Sequence, residues 1–211
     1  MLIIFDLDGT LIDSAEDLAI STNATRAHFG LPPLDASVIN SYVGNGAAVL
    51  IRKAMGEENP PAVLEEALAF FLRYYRAHAL EHTRFYPGIK EAVDELAQRG
   101  NVMTVLTNKP VRISRDILTA LGVGPLFYRI YGGDSFRAKK PDPIGVATLI
   151  SEANAQSADT VLVGDSGVDV QTARNAGIRS VGVAWGFQPE AFDLLAPDLI
   201  VQRPEDLVRV L

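Results

Sequence analysis

Two pairs of aspartates frame the chemistry open to this chain. Asp6 and Asp8 stand in the run Asp6-Leu7-Asp8-Gly9-Thr10, and Asp165 and Asp169 in Gly164-Asp165-Ser166-Gly167-Val168-Asp169. Between them come Thr107-Asn108 and Lys140-Pro141-Asp142-Pro143. Paired carboxylates can hold a hard cation or divide acid-base work between unlike environments. Other chemistries fail on inventory. Cysteine is absent, which excludes thiolate nucleophiles, disulfides and Cys-ligated zinc. The three histidines, His28, His78 and His82, all fall in a separate stretch, so zinc is disfavoured again.

The elements that must position these residues are legible as an alternation. Leu2 to Phe5 is a short apolar run ending at Asp6, the pattern of a strand buried on both faces of a parallel sheet. Val102 to Leu106 ends at Thr107-Asn108, Thr160 to Val163 ends at Gly164-Asp165, and Ser180 to Ala184 ends near Trp185-Gly186. Helical spacing separates them: Ile89, Val93, Leu96 and Ala97 before Gly100, then Ile113, Ile117, Leu118 and Leu121 before Gly122. Ile144 to Ala153 and Val168 to Ala176 supply two more helices, the second closed by Gly177. Such alternation predicts an α/β fold, a doubly wound parallel sheet with right-handed crossovers.

Residues 14–83 break the pattern with successive helices, including Leu64, Leu68, Phe71, Leu72 and Tyr75 on one face. The expected organisation is a core of residues 1–13 and 84–211, with an all-helical insert at 14–83 and hinges near Leu11 to Ser14 and Thr83 to Pro87.

In open α/β sheets ligands sit beyond the carboxyl ends of the strands, which is where the polar residues fall. Four carboxylates in one crevice repel: like charges ~4 Å apart cost about 4 kcal/mol at an effective dielectric near 20. A divalent cation relieves that. Mg²⁺ is the expected one, since it takes oxygen ligands and is held by one or two carboxylates plus substrate phosphate oxygens.

Each motif alone is an ordinary turn, cap or helix start. Together, in this order and at strand ends or helix starts, they resemble the haloacid dehalogenase-like phosphatases over most of the chain. The resemblance implies a Rossmann-like core with an inserted cap and a phosphatase that works on a small phosphate monoester. It implies that Asp6, Asp165 and the backbone carbonyl of Asp8 hold Mg²⁺, with Asp169 helping directly or through water. It further implies that Thr107, Asn108 and Lys140 bind the transferring phosphoryl group. Asp6 is then assigned as the nucleophile, already ionised at neutral pH, and Asp8 as the acid-base residue. Lys139, the neighbour of Lys140, is expected to be a solvated surface residue.

Within the insert, Val43-Gly44-Asn45-Gly46 resembles the Gly-x-Gly cap segment of phosphoglycolate phosphatases, and Asp13-Ser14 fits the same group. Arg52, on this reading, is a candidate for a substrate carboxylate. A sugar-phosphate phosphomutase on the same scaffold is the alternative, and a non-catalytic phosphoacceptor module a weaker one.

Composition bounds the rest. A chain of 211 residues with 48% hydrophobic residues buries a full core. The net charge of −7 argues against a general nucleic-acid partner. No apolar run approaches the ~20 residues of a membrane span, and the N-terminus lacks the basic start of a signal peptide, so a cytoplasmic protein is expected.

Overall fold

The structure, a computed structural model, describes residues 1–211, the side chain of Pro189 excepted. Six parallel strands form the main sheet: β1 (Leu2–Phe5), β4 (Val102–Leu106), β5 (Arg129–Tyr131), β6 (Thr160–Gly164), β7 (Arg179–Val183) and β8 (Leu199–Val201). Their spatial order is β5-β4-β1-β6-β7-β8. The chain runs outward from β1 to β5, then returns to β1's other side, so strand order reverses at β1. That reversal opens a crevice at the carboxyl end of β1, the place where such sheets take ligands.

Period-two alternation divides β1 between two cores. Ile3 and Phe5 join the side covered by α5 (Ile89–Gln98), α6 (Val111–Ala120) and α9 (Pro204–Val210). Leu2 and Ile4 join the side covered by α7 (Ile144–Glu152) and α8 (Gly167–Ala176). Every β1 side chain is buried, each stabilising the fold by about 1.5–3 kcal/mol relative to exposure. Helix ends follow the glycine signals: Gly100, Gly122 and Gly177 adopt the left-handed conformation just past α5, α6 and α8. The doubly wound reading is therefore correct. Two edge strands, β5 and β8, and the terminal α9 extend beyond the alternation legible in sequence.

Four helices fill the interruption: α1 (Ala15–His28), α2 (Ala36–Asn40), α3 (Ala47–Met55) and α4 (Pro61–His78). α4 packs along α1 and α3, burying Ala67, Phe71 and Tyr75 at four-residue spacing, with Phe71 and Tyr75 stacked at 5.5 Å. Leu64, Leu68 and Leu72 sit beside them, partly buried. α1 is less amphipathic because its buried face is polar. Its Asp17 accepts the backbone N–H of His82 at 2.9 Å, and the N–H and hydroxyl of Thr83 at 2.8 and 2.7 Å.

The expected hinges take ordered form. β2 (Ile12–Asp13) and β3 (Arg84–Phe85) pair antiparallel, so entry to and exit from the helical segment share one short ribbon. Two-residue strands carry no periodicity, which hides them from a sequence reading.

Candidate active site

Register brings the strand ends level. Phe5 pairs with Val105 on one side and Val163 on the other, so Asp6 stands beside Leu106 and Gly164, with Thr107 and Asp165 one residue beyond. The Asp6 N–H donates to the Val163 carbonyl at 2.9 Å, anchoring the nucleophile candidate to the sheet.

One carboxylate oxygen each from Asp6, Asp165 and Asp169 lies within 4.8 Å of the others. All three residues are buried. Lys140 is buried among them, its Nζ 2.6 Å from Asp169 Oδ1 and 3.0 Å from Asp6 Oδ1. The contact with Asp6 is an ion pair whose geometry falls short of a hydrogen bond, so Asp6 Oδ1 is a buried oxygen without a donor. Asp169 Oδ2 is fully engaged: it accepts from the Ser166 N–H at 3.1 Å and hydroxyl at 2.6 Å, closing the capping box that starts α8. Asp165 accepts from the Phe187 N–H at 2.8 Å and the Thr10 hydroxyl at 3.3 Å.

Gly9 makes room for Asp165. Its φ is +80°, and a Cβ there would lie 2.2 Å from Asp165 Oδ2. Gly186, outside the recognised motifs, closes the other side, since its Cβ would meet the Asp165 Cβ at 2.1 Å.

Burial pushes Asp6 up to about 6; Lys140 opposes this, and Asp169 adds to it. Asp165 is raised well above the carboxylate range by burial, then by Asp169 and Asp6. For Lys140 burial works toward a lower value, but Asp169 and Asp6 outweigh it and the ammonium is held charged. Three clustered carboxylates, an orphaned oxygen and hard oxygen donors fit a hard divalent cation.

Linkage gives this a measurable form. Asp6 and Asp165 hold protons more tightly folded than unfolded, so without metal they make the fold less stable as pH rises through their elevated values. A cation needs them ionised and must displace those protons. Mg²⁺ should therefore raise the melting temperature by several degrees at pH 7.5 and by about 1 °C or less at pH 5, read by thermal unfolding in matched buffers. Equal shifts at both pH values would separate these carboxylates from metal binding.

Asp8 lies outside the cluster. Its Oδ1 accepts from the Ser14 hydroxyl at 2.5 Å and from Lys109 Nζ at 2.7 Å, and its Oδ2 is 3.1 Å from the same ammonium. Lys109 also donates to the Tyr75 hydroxyl. Neither Lys109 nor Tyr75 was singled out from sequence for a site role. Their only signals were a lysine directly after Thr107-Asn108 and a tyrosine on the buried face of α4.

Thr107 and Asn108 are buried at the end of β4. The Asn108 amide donates to the carbonyls of Gly44 at 2.9 Å and Lys140 at 3.0 Å. Two further core side chains hold the same glycine loop: Gln188 donates to the Val43 carbonyl at 2.8 Å and Lys139 to that of Asn45 at 2.5 Å. Lys139 is thus exposed, as expected, but occupied. Gly46 permits the approach, since its Cβ would stand 3.0 Å from the Asn108 carbonyl oxygen. Beneath the loop is a narrow cavity of about 50 Å³, lined by Asp6, Asp8 and Lys109 together with Leu50, Phe71 and Phe187. Arg52 does not line it. Half exposed, Arg52 lies 3.8 Å from Glu57.

Comparison with known proteins agrees with this architecture. The family described as haloacid dehalogenase-like hydrolase matches residues 3–183. A phosphoglycolate phosphatase of Pseudomonas putida is 37% identical over 206 residues, 95% of this chain and 75% of the relative. That of Vibrio vulnificus is 36% identical over 218 residues, 99% of this chain and 95% of the relative. Among solved structures, a predicted phosphoglycolate phosphatase from Haemophilus somnus superimposes with a TM-score of 0.94 at 32% identity, covering 99% of this chain and 96% of that one. No helix of the described residues is long and apolar enough to cross a membrane.

Proposed function

The chain belongs to the haloacid dehalogenase-like hydrolase family and is a phosphatase, and from that premise we propose that it hydrolyses a small phosphate monoester, phosphoglycolate foremost, in a Mg²⁺-dependent reaction through an aspartyl-phosphate on Asp6. The observation that carries the proposal is the buried cluster of Asp6, Asp165 and Asp169 around Lys140, at the mouth of a small cavity beneath the Val43 to Gly46 loop.

Asp6 attacks phosphorus. As its oxygen bonds to phosphorus, the bond to the leaving oxygen breaks and Asp8 gives that oxygen its proton. Asp8, now a carboxylate, takes a proton from a water that attacks phosphorus; the bond to Asp6 breaks and inorganic phosphate departs. Both aspartates end as they began. Thr107, the Asn108 N–H and Lys140 bind the phosphoryl oxygens, and Lys140 offsets the charge that develops there. Asp6, Asp165, Asp169 and the Asp8 carbonyl would hold the Mg²⁺. When bound, the ion neutralises phosphoryl charge and orients the oxygens.

Residues 1–13 and 84–211 act as the catalytic core and 14–83 as a cap whose Val43 to Gly46 loop closes on the substrate and excludes water. The β2–β3 ribbon is the natural boundary between them.

A panel of phosphorylated metabolites assayed for phosphate release with Mg²⁺ and with chelator tests the proposal. Phosphoglycolate is expected among the best, with at least about 100-fold loss on chelation. Isomerisation of a sugar phosphate without free phosphate would replace it with the phosphomutase reading.

A further inference from the structure

We propose that Lys109, tethered by Tyr75, is the positioning residue that aims the Asp8 carboxylate at its proton-transfer task. The inference rests on the acid-base reading of Asp8.

Lys109 is buried one residue past Asn108, where the chain leaves β4. Its ammonium reaches Asp8 Oδ1 at 2.7 Å and Oδ2 at 3.1 Å, and donates to the Tyr75 hydroxyl. Lys109 is the one cation among the described residues that line the cavity, and the partners it has there are Asp8 and Tyr75. Its chemistry is directed at Asp8.

Oδ1 is filled by two donors, and Oδ2, held only at 3.1 Å, is the oxygen that carries the transferred proton. Ser14 holds Oδ1 from the start of α1 at 2.5 Å, while Lys109 spans Oδ1 and Oδ2 from the β4 side. Tyr75 orients the ammonium in turn through its hydroxyl. Tyr75 is itself immobilised, fully buried and stacked on Phe71 in α4. The chain of contacts therefore runs from the longest helix of the insert to the acid-base carboxylate. Asp8 is held in register with both the strand ends and α4. A carboxylate anchored only to the loop after β1 would lose that register, and misplacement by about 1 Å can slow a reaction about 100-fold.

The test exploits leaving groups. With the intact chain and saturating Mg²⁺, kcat/KM would be compared for p-nitrophenyl phosphate, whose leaving group departs without a proton, and for the best alkyl phosphate of the panel, which needs one. Lys109→Met should lower kcat/KM about 30-fold for the alkyl ester and less than about threefold for the aryl ester. Tyr75→Phe, which keeps the ring and its packing, should show the same selectivity at about fivefold, and it carries the test should Lys109→Met fail to fold. Lys109→Arg should recover part of the alkyl activity. Equal losses on both esters in both variants, or no loss, overturn the inference. An Asp8→Asn control then separates the causes. If Asp8→Asn still discriminates between the esters, the acid-base reading survives and only the positioning role fails; if it too shows no discrimination, the reading of Asp8 falls with it.

Discussion

Asp6→Asn should abolish turnover, with a loss of at least about 10⁴-fold in kcat, while the chain folds as before. The amide is isosteric with the carboxylate but is a poor nucleophile, and no other group in the cluster can take its place. Asp165 is tied to the Phe187 N–H and the Thr10 hydroxyl, and Asp169 to Lys140 and Ser166. The fold should persist because Asp6 is held by its backbone N–H on Val163 and by flanking apolar residues, Phe5 and Leu7, not by its side chain. Removing a buried charge also relieves the desolvation that raises the Asp6 pKa, so the metal-free variant should melt no lower than the parent. Phosphate release under excess Mg²⁺, acid-quench trapping of phosphoenzyme and thermal unfolding together read the outcome. Activity within tenfold of the parent would end the assignment of Asp6.

Lys140→Met should act on both catalysis and stability. Its ammonium joins Asp6 and Asp169, each buried, so its removal leaves two carboxylates facing one another away from water. Breaking such a pair on one side typically costs about 3–5 kcal/mol, and that loss should appear in urea unfolding without metal. Added Mg²⁺ should restore part of the stability, because a cation can neutralise the same carboxylates. Catalysis should stay low, by about 10³-fold in kcat, since the fixed charge on the transferring phosphoryl group is gone. A variant that recovered kcat with Mg²⁺ would show that Lys140 serves only to offset Asp6 and Asp169.

Much of this site is legible in the sequence because its residues occupy positions with strong local signals. Asp6, Thr107 and Asp165 each follow a short β-rich run, and parallel register necessarily brings such ends together. Asp169 is readable as the third residue of α8, where a carboxylate also closes a capping box. Lys109 stood in plain view beside Asn108, but a lone lysine after a strand is usually a solvated residue, and nothing local announces its partners Asp8 and Tyr75. Tyr75 is more obscure still. Its spacing marks it as core, and only packing of α4 against the strand ends turns a core tyrosine into a site residue. Arg52 is the converse: a basic residue near a glycine loop invites a role, and in the structure it stands half exposed beside Glu57.

The primary structure by itself determined the alternation of strands and helices, the place of the insert and the acidic identity of the site, because these depend on short-range periodicity and on residues fixed to strand ends. Tertiary structure alone decided how the insert meets the core. The three core side chains that hold the Val43 to Gly46 loop and the Lys109 contact with Tyr75 join insert to core, while the β2–β3 ribbon, the Asp17 clamp on His82 and Thr83 and the Lys109 grip on Asp8 tie distant parts of one unit together. Such contacts are set by the relative placement of two packed layers, and side-chain periodicity along either layer carries no record of it.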